Sequence, residues 1–243
     1  MFSRNKFIYK LNQIKSEQIL LFPHLGLGDL IITNGLVNYI SKELGKHIYL
    51  PVKDNYFEQI SYFYSENKNV TLFEIKNETR EENILSFGKQ NNLQILKIGY
   101  EKVKKEPFNT YFYKQLKIPY SSTYEYFSIP VNKQKNKELE NHLKDYYKIT
   151  EENINLVHNE SSYQKYDLNI SNNFECIYVN KDSDKFNNMF FYESLIKSAK
   201  EIHCVNGSFF HLVERIDTNA KLFYHHLRKN NMHVSDKWEW IRY

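Results

Sequence analysis

The stretch HLGLGDLIITNG, residues 24–35, joins the apolar run Gln18–Phe22 to a long amphipathic segment. The chain has seven glycines, and two of them, Gly26 and Gly28, stand here directly before Asp29. Glycine lets a backbone turn tightly and lets a ligand approach main-chain N–H groups. Apolar residues recur at three- and four-residue spacing through the segment that follows. The stretch therefore predicts a strand, a glycine turn and a helix over Asp29–Leu44.

The dipeptide Asn34-Gly35 offers an alternative, because an Asn-Gly pair between apolar runs is a strong hairpin signal. The apolar residues on either side of it would then form two paired strands. We favour the helix, because the same apolar face continues to Leu44 and ends before Gly45.

Short apolar runs and longer amphipathic segments alternate along the chain. The predicted strands are Gln18–Phe22, His47–Val52, Val70–Ile75, Leu93–Ile98, Asn153–His158, Glu175–Val179, Glu201–Val205 and Lys221–Tyr224. The predicted helices are Asp29–Leu44, Asn55–Glu66, Thr79–Gln90, Phe108–Leu116, Asn132–Lys148, Met189–Ala199 and Ser208–Ile216. The tail from His225 has no clear period. Such alternation predicts an α/β fold with parallel sheets, in two small Rossmann-like domains at residues 1–130 and 131–243.

Composition narrows the class of protein. Of 243 residues, 41% are hydrophobic, which is enough for a core, and the formal net charge is +4. That charge is too small for a nucleic-acid binder, and we interpret the lysines at 102, 104 and 105 as a solvated face. The two cysteines show no CxxC pattern, and no apolar run is long enough to cross a membrane. We therefore expect a cytoplasmic protein with no nucleic-acid partner, no disulfide and no zinc site.

The glycine turn fits neither of two common phosphate-binding motifs. A dinucleotide fingerprint, GxGxxG, needs a third glycine where this chain has Ile31, and no GxxxxGK[ST] occurs. What remains is a loop at the carboxyl end of a strand, where α/β sheets bind ligands, with a carboxylate in the first helical turn. Capping alone is one explanation of Asp29, worth about 1 kcal/mol. A helix N-terminus also keeps a carboxylate ionised, which suits a base by its protonation state but limits its strength.

The run His24–Ile31 followed by an apolar helix resembles the N-terminal loop of heptosyltransferase-type glycosyltransferases, which have the GT-B fold of two domains facing a cleft. In that family a Gly-Asp pair opens the first helix, and its aspartate is the proposed base that deprotonates the acceptor hydroxyl. The resemblance places Gly28 and Asp29 on those positions and His24 and Gly26 in the acceptor-side loop. The family has a proline a few residues on, where this chain has Asn34-Gly35.

A second match lies at Glu201–Leu212, where the family has a strand, an Asp-Thr-Gly-type turn and a helix that carries His-Leu. The resemblance places the donor diphosphate on Asn206, Gly207, Ser208 and His211, although asparagine replaces aspartate and the glycine is shifted by one position. The physical chemistry agrees, because a helix N-terminus presents unpaired N–H groups and a positive dipole end to phosphate. A core histidine is the alternative for His211.

Other polar residues follow strands of the second half. Ser161 and Ser162 in the loop after His158 are candidate phosphate or sugar contacts, although a plain polar turn is an equal alternative. Arg228 is a candidate to neutralise phosphate, and His225 is a candidate ligand contact. No HExxH or spaced acidic partner accompanies the adjacent histidines, so we assign no metal.

The resemblance implies an inverting glycosyltransferase that needs no metal or other cofactor. The same resemblance implies that a nucleotide-sugar donor binds the second half and that a glycan or glycolipid acceptor approaches from the first. Two alternatives remain open. Asp182 and Asp184 after a strand match the DxD pattern of metal-dependent GT-A glycosyltransferases, and a chain of this length also suits a non-catalytic nucleotide-sugar-binding module.

Overall fold

The computed structural model describes residues 7–99, 106–161, 164–170, 173–227 and 231–243. These residues separate into two compact units, the first extending to Pro130 and including Asn231–His233, the second comprising the rest. Each unit contains one parallel β-sheet with helices. The predicted α/β class with two parallel sheets is confirmed.

Unit 1 has a four-stranded sheet in the order β3-β2-β1-β4. Its strands are β1 Gln18–Phe22, β2 His47–Lys53, β3 Val70–Ile75 and β4 Gln94–Lys97, and its helices are α1 Leu27–Glu43, α2 Phe57–Phe63, α3 Arg80–Gln90, α4 Phe108–Leu116 and α5 Ser122–Glu125. All strand pairs are parallel. Residues 19–22 of β1 are fully buried, as expected of a central strand of a parallel sheet covered on both faces.

The Asn-Gly pair lies inside α1, so the hairpin alternative is wrong. The Oδ1 atom of Asn34 accepts hydrogen bonds from Asn38 Nδ2 at 3.1 Å and from the Ser128 amide at 3.0 Å. Gly35 lies against α5, and a Cβ atom there would stand 2.5 Å from the carbonyl oxygen of Ser122. Both residues therefore serve the packing of a helix rather than the geometry of a turn.

Unit 2 has a five-stranded parallel sheet in the order β6-β5-β7-β8-β9. Its strands are β5 Ile154–His158, β6 Glu175–Tyr178, β7 Glu201–Cys204, β8 Lys221–His226 and β9 Trp238–Arg242, and its helices are α6 Lys133–Tyr147, α7 Glu193–Ser198 and α8 Ser208–Val213. Both cysteines are free thiols.

Three predicted helices are too long by three residues or more. Residues 54–56 and 189–192 form 3₁₀ turns before α2 and α7. In the second case Asn188 accepts a hydrogen bond from the Phe190 amide at 3.1 Å, which starts the chain in the tighter turn. Helix α8 ends at Val213 rather than Ile216.

No described helix has the length and apolar character needed to span a bilayer.

The tail contains a strand that was not predicted, because the apolar residues of the tail have no clear periodicity. Strand β8 runs on to His226, and β9 pairs with it in parallel. Trp238 is buried and donates its indole N–H to the fully buried Glu214 carboxylate, which also accepts from the Ser235 hydroxyl at 3.1 Å. A buried carboxylate must be satisfied by hydrogen bonds, so Glu214 fixes the tail to the end of α8.

We expect replacement of Gly35 by alanine to lower the free energy of unfolding by about 2 kcal/mol, because the new methyl group meets rigid backbone of α5. The helix propensity of alanine works in the opposite direction by about 1 kcal/mol and is outweighed. Chemical denaturation measures the difference. Gly88→Ala is the matched control, because a Cβ atom there meets the movable end of the Ile95 side chain. Equal stability of Gly35→Ala and the parent would show that α1 and α5 are not packed as described.

Candidate active site

The first candidate site lies at the corner between β1 and α1. Strand β1 ends at Phe22 and α1 begins at Leu27, two residues earlier than predicted. Gly28 therefore lies in the helix rather than in the loop, and Asp29 is the third helical residue. The loop is short, and it brings Asp29 to the carboxyl end of β1, an interior strand between β2 and β4, where parallel sheets bind ligands.

The Asp29 carboxylate folds back onto the start of its own helix. Its Oδ2 atom accepts a hydrogen bond from the Gly26 amide at 3.2 Å. A Cβ atom on residue 26 would stand 2.7 Å from that oxygen, so only glycine leaves room for the carboxylate in this position. The capping role considered for Asp29 is present in the structure.

Burial alters the acidity of this carboxylate. Removal of water raises the pKa of Asp29 to about 6, while the Gly26 hydrogen bond and the positive charge of Lys53 act in the opposite direction. The expectation that the helix N-terminus would keep this carboxylate a weak base is therefore wrong, because desolvation is the larger effect. A carboxyl group with a pKa near 6 is ionised at neutral pH and accepts a proton more readily than an ordinary aspartate.

His24 occupies the wall of the same corner. Its ring lies 5.3 Å from that of Phe108 and 5.7 Å from that of Phe112, measured between ring centroids. Desolvation lowers its pKa. Gly99 follows β4 with φ +83°, and a Cβ atom there would stand 2.4 Å from Phe112 and 3.1 Å from His24. The imidazole is thus a neutral, positioned group beside Gly99.

The second candidate site lies in unit 2, at the carboxyl ends of the paired strands β5 and β7. The Val205 amide donates to the His158 carbonyl at 3.0 Å, which holds the two strand ends together. Asn206, Gly207 and Ser208 follow β7 and lead into α8, and all three are half-buried. The predicted strand, turn and helix are therefore present, with a helix of six residues.

His158 lies directly against this turn. Its Cε1 atom would stand 2.7 Å from a Cβ atom on Gly207, and its ring centroid is 5.5 Å from that of Phe209. Burial lowers the pKa of His158 to about 4, so the ring is neutral. Within the described residues its Nδ1 atom has no hydrogen-bond partner. A buried polar atom without a partner is costly, and this one is placed beside the start of α8.

His211 is buried one turn into α8. Burial lowers its pKa well below the usual value, and the charge of Arg215 adds to the effect. Its Nδ1 atom also lacks a partner in the part of the chain that the structure describes. The core-histidine alternative accounts for its burial but leaves this nitrogen unsatisfied, so phosphate binding by His211 stays a prediction.

Hydrogen bonds connect described residues on the two sides of the loop after β5. The Ser161 hydroxyl donates to the Gln164 carbonyl at 3.2 Å, and the side chain of Asn159 donates to the Tyr166 carbonyl at 2.8 Å. The polar-turn alternative therefore describes Ser161 well, and a ligand contact there stays a prediction. Ser162 and Arg228 lie outside the described residues, as do the lysines at 102, 104 and 105.

His225 is not available to a ligand, so that interpretation is wrong. The residue belongs to β8 and is buried, with its Nε2 atom 3.0 Å from His203 Nδ1 and its Nδ1 atom 2.8 Å from the Tyr243 hydroxyl. Burial lowers the pKa of His203 and of His225 to about 4. The two imidazoles form a neutral, hydrogen-bonded pair inside unit 2.

The second aspartate of the DxD pattern, Asp184, has a structural role in a turn. Asp184 accepts hydrogen bonds from the amides of Phe186 and Asn188, both at 2.9 Å, one on each carboxylate oxygen. Asp182 is exposed. Among the described residues, no group of three or more His, Cys, Asp and Glu side chains is placed to bind a metal ion. The second aspartate of the pattern is thus engaged by the backbone of its own turn.

Sequence reasoning missed three residues of these corners. Lys53 ends β2, Gly99 follows β4 and His158 ends β5. Each is a polar residue or a glycine directly at the carboxyl end of a predicted strand. This position is the sequence signal by which they could have been identified as site residues. Their roles depend on which strands are neighbours, and the sequence pattern does not give the strand order.

Comparisons with known proteins agree with this architecture. No family model matches the sequence, and no curated protein matches it. The structure is similar to that of a glycosyl transferase family 9 protein from Veillonella parvula, at TM-score 0.58 and 9% identity over 93% of this chain and 86% of that one. It is also similar to the E. coli ADP-heptose LPS heptosyltransferase II, at TM-score 0.59 and 11% identity over 92% and 90% of the two chains. The chain therefore has the GT-B-like fold of heptosyltransferase-type proteins, as predicted.

We expect Asp29→Asn to raise the free energy of unfolding at pH 7 by about 1–2 kcal/mol. The folded pKa lies above the usual value of 3.8, so ionisation costs stability, and this cost grows as the pH rises from about 4 to about 6. The uncharged amide avoids the cost, although its oxygen still accepts the Gly26 hydrogen bond. The difference between the two proteins should vanish near pH 4.

Urea denaturation at a series of pH values measures this difference. Asp54→Asn is the matched control, since Asp54 is exposed at the end of neighbouring β2. If Asp29 acted as a cap alone, the variant would be the less stable protein at pH 7.

Proposed function

We propose that the chain transfers a glycosyl group from a nucleotide-sugar donor to an acceptor hydroxyl with inversion at the anomeric carbon. The acceptor oxygen forms a bond to that carbon while the bond from the carbon to the phosphate oxygen breaks. The hydroxyl proton passes to Asp29, and the electron pair of the broken bond leaves with the nucleoside diphosphate. A single displacement of this kind inverts the configuration.

One observation above the others supports this proposal: a half-buried carboxylate with a pKa of about 6, at the carboxyl end of a central strand. A carboxylate with a purely structural role does not stabilise the fold better when burial makes its ionised form less favourable. A general base does gain, because its strength rises with its pKa while it stays ionised at neutral pH. Two proteins of similar fold are described as glycosyltransferases. We therefore propose that the proton this base accepts is that of the acceptor hydroxyl in glycosyl transfer.

The departing diphosphate needs hydrogen-bond donors. In the proposal these come from the turn at Asn206, Gly207 and Ser208 and from the two neutral imidazoles, His158 and His211. Each imidazole has a buried nitrogen without a partner in the described chain, and a neutral ring offers one N–H group to a phosphate oxygen. Preorganised donors of this kind stabilise developing negative charge. We propose that they do so without a divalent cation.

The acceptor belongs to the same proposal. The corner at His24, Gly26 and Asp29 would receive the acceptor hydroxyl, and we propose a glycan or glycolipid that is met in the cytoplasm. Its sugar would contact the exposed ring of Phe108 beside His24, and the fully buried ring of Phe112 supports both from behind. Aromatic faces pack against the apolar faces of sugar rings and leave the hydroxyl groups directed by hydrogen bonds.

The first experiment identifies the donor and then tests the proposed catalytic base by the substitution Asp29→Asn. A thermal-shift panel of UDP-, GDP- and ADP-sugars selects the donor, and donor hydrolysis or transfer is followed by release of the nucleoside diphosphate. We expect Asp29→Asn to lower kcat at least 100-fold, because a positioned base contributes about 100- to 10,000-fold, while donor affinity stays unchanged. Asp54→Asn should retain parental turnover. Donor binding without turnover in the parent would identify a binding module instead and contradict the proposal.

The pH dependence gives a second prediction. Because Asp29 must be ionised to accept a proton, kcat/KM should fall as the pH drops below about 6. Lys53 lowers the pKa of Asp29, so Lys53→Met should move this acid limb to higher pH. An acid limb near pH 4, or one that Lys53→Met leaves in place, would exclude Asp29 as the base.

A further inference from the structure

Unit 1 has a recess of about 590 Å³ at the amino end of its sheet, opposite the corner that holds Asp29. It is lined by the last turns of α1, by the segment from the end of α2 to Asn69, directly before β3, and by residues 125–130. We call it the α1–β3 recess. Ser41 in its wall follows Asp29 by twelve residues in α1, which is about 18 Å at 1.5 Å per residue. The proposed transfer therefore does not use this recess.

Two asparagines form one wall and are fixed by hydrogen bonds. Asn67 Nδ2 donates to Asn38 Oδ1 at 2.7 Å and to Ser41 Oγ at 3.2 Å. Asn67 Oδ1 accepts from the Asn69 amide at 3.0 Å, and Asn38 Nδ2 donates to the Tyr126 carbonyl at 2.9 Å. Both amide nitrogens thus donate to protein atoms, while each amide oxygen has two lone pairs and can accept a further hydrogen bond. The wall offers acceptors to a ligand.

Aromatic rings form another part of the lining. The ring centroids of Phe63 and Phe127 are 5.7 Å apart. Tyr126 is half-buried, with the edge of Tyr39 at 5.2 Å and the Lys42 ammonium at 5.8 Å from its ring centroid. Rings that are already held in place lose little conformational freedom when a ligand binds. Aromatic faces of this kind pack against the apolar faces of sugar rings.

The charged residues of the lining balance each other. Lys42, Lys68, Glu66 and Glu125 are all exposed, and they comprise two cations and two anions. The carboxylates add acceptors to those of the amide wall and repel phosphate, while the ammonium groups donate to hydroxyl oxygens. A ligand that satisfies this lining has many hydroxyl groups, which both donate and accept, and carries no net charge.

We propose that the α1–β3 recess binds a neutral saccharide, with a sugar ring packed on Tyr126 and hydroxyl groups donating to the oxygens of Asn38 and Asn67. Ligand cavities measure about 300–1,000 Å³, so this one has room for one or two sugar rings. The site needs no nucleotide-sugar donor and goes beyond the proposed function. It gives the chain a second contact with a glycan, away from Asp29.

NMR titration of the ¹⁵N-labelled protein with maltose, with N,N′-diacetylchitobiose and with maltose 1-phosphate tests the site. We expect a neutral disaccharide to cause saturable shifts of the amide signals of Asn67, Asn69 and Tyr126, because these residues line the recess. Maltose 1-phosphate should bind more weakly than maltose, since the carboxylates of Glu66 and Glu125 repel its phosphate.

Two variants remove different parts of the lining. Tyr126→Ala should weaken the neutral disaccharide about two- to tenfold, which is the usual worth of an aromatic contact. The double variant Glu66→Gln/Glu125→Gln should also weaken it, because hydrogen bonds to carboxylates are the stronger ones, and should bind maltose 1-phosphate more tightly than the parent does. A structural disturbance would not change the two affinities in opposite directions. Tyr146→Ala, which alters an exposed tyrosine of unit 2, is the matched control.

The outcomes separate this inference from the proposed function. If the disaccharides shift the signals of Gly26 and Gly99 alone, the saccharide binds at the Asp29 corner, and the inference is overturned while the proposed function stands. No shift with either neutral disaccharide at millimolar concentration, or equal affinity of Tyr126→Ala and the parent, also overturns it. Absence of donor turnover in a parent that binds saccharide in the recess counts against the proposed function alone.

Discussion

The contact between the Asp29 carboxylate and the Gly26 amide, in surroundings that have lost most of their water, is the interaction on which the candidate site of unit 1 depends. It requires a glycine at position 26, because any Cβ atom there would meet the carboxylate oxygen at 2.7 Å. It also requires that α1 begin at Leu27, since only then does the third helical residue face the N-terminal turn. The scarcity of glycine elsewhere in the chain makes this placement informative.

The hydrogen bond and the burial work against each other, and their balance sets the chemistry. A helix N-terminus alone would lower the pKa of a carboxylate, whereas desolvation raises the pKa of Asp29 to about 6. In unit 2 burial lowers the pKa of His158 and of His211, because the protonated imidazole carries the charge, and both rings are therefore neutral. The two units therefore provide a carboxylate of raised pKa and two uncharged imidazoles. The inverting transfer that we propose would use both kinds of group.

Much of the fold was predictable because local patterns specify it. The bounds of β1 and α4 agree with the prediction to the residue, since buried apolar runs and amphipathic spacing mark such elements clearly. Strand β9 was missed because it is an edge strand whose burial is limited largely to Trp238. Helix α8 was predicted too long because the apolar spacing continues beyond Val213, where Glu214 binds the tail instead of continuing the helix.

The candidate site was predictable to a smaller extent. Asp29 and the turn at Asn206–Ser208 could be found from the sequence because each stands at the end of an apolar run and before a helix. The pKa of Asp29, the neighbouring charge of Lys53 and the position of His158 beside Gly207 depend on strand order and on burial. These properties arise from residues far apart in sequence, so local patterns do not contain them. Identities of 9% and 11% to proteins of the same fold show how little of the sequence the architecture itself fixes.

Direct titration of the Asp29 side chain tests the central claim independently of any substrate. The carboxyl ¹³C chemical shift of Asp29, assigned by comparison with Asp29→Asn, can be followed by NMR from pH 3 to pH 8. A midpoint near pH 6 is expected. A midpoint at or below 3.8 would show that helix capping outweighs burial, and the aspartate would then be a structural cap without the basicity that the proposed transfer requires.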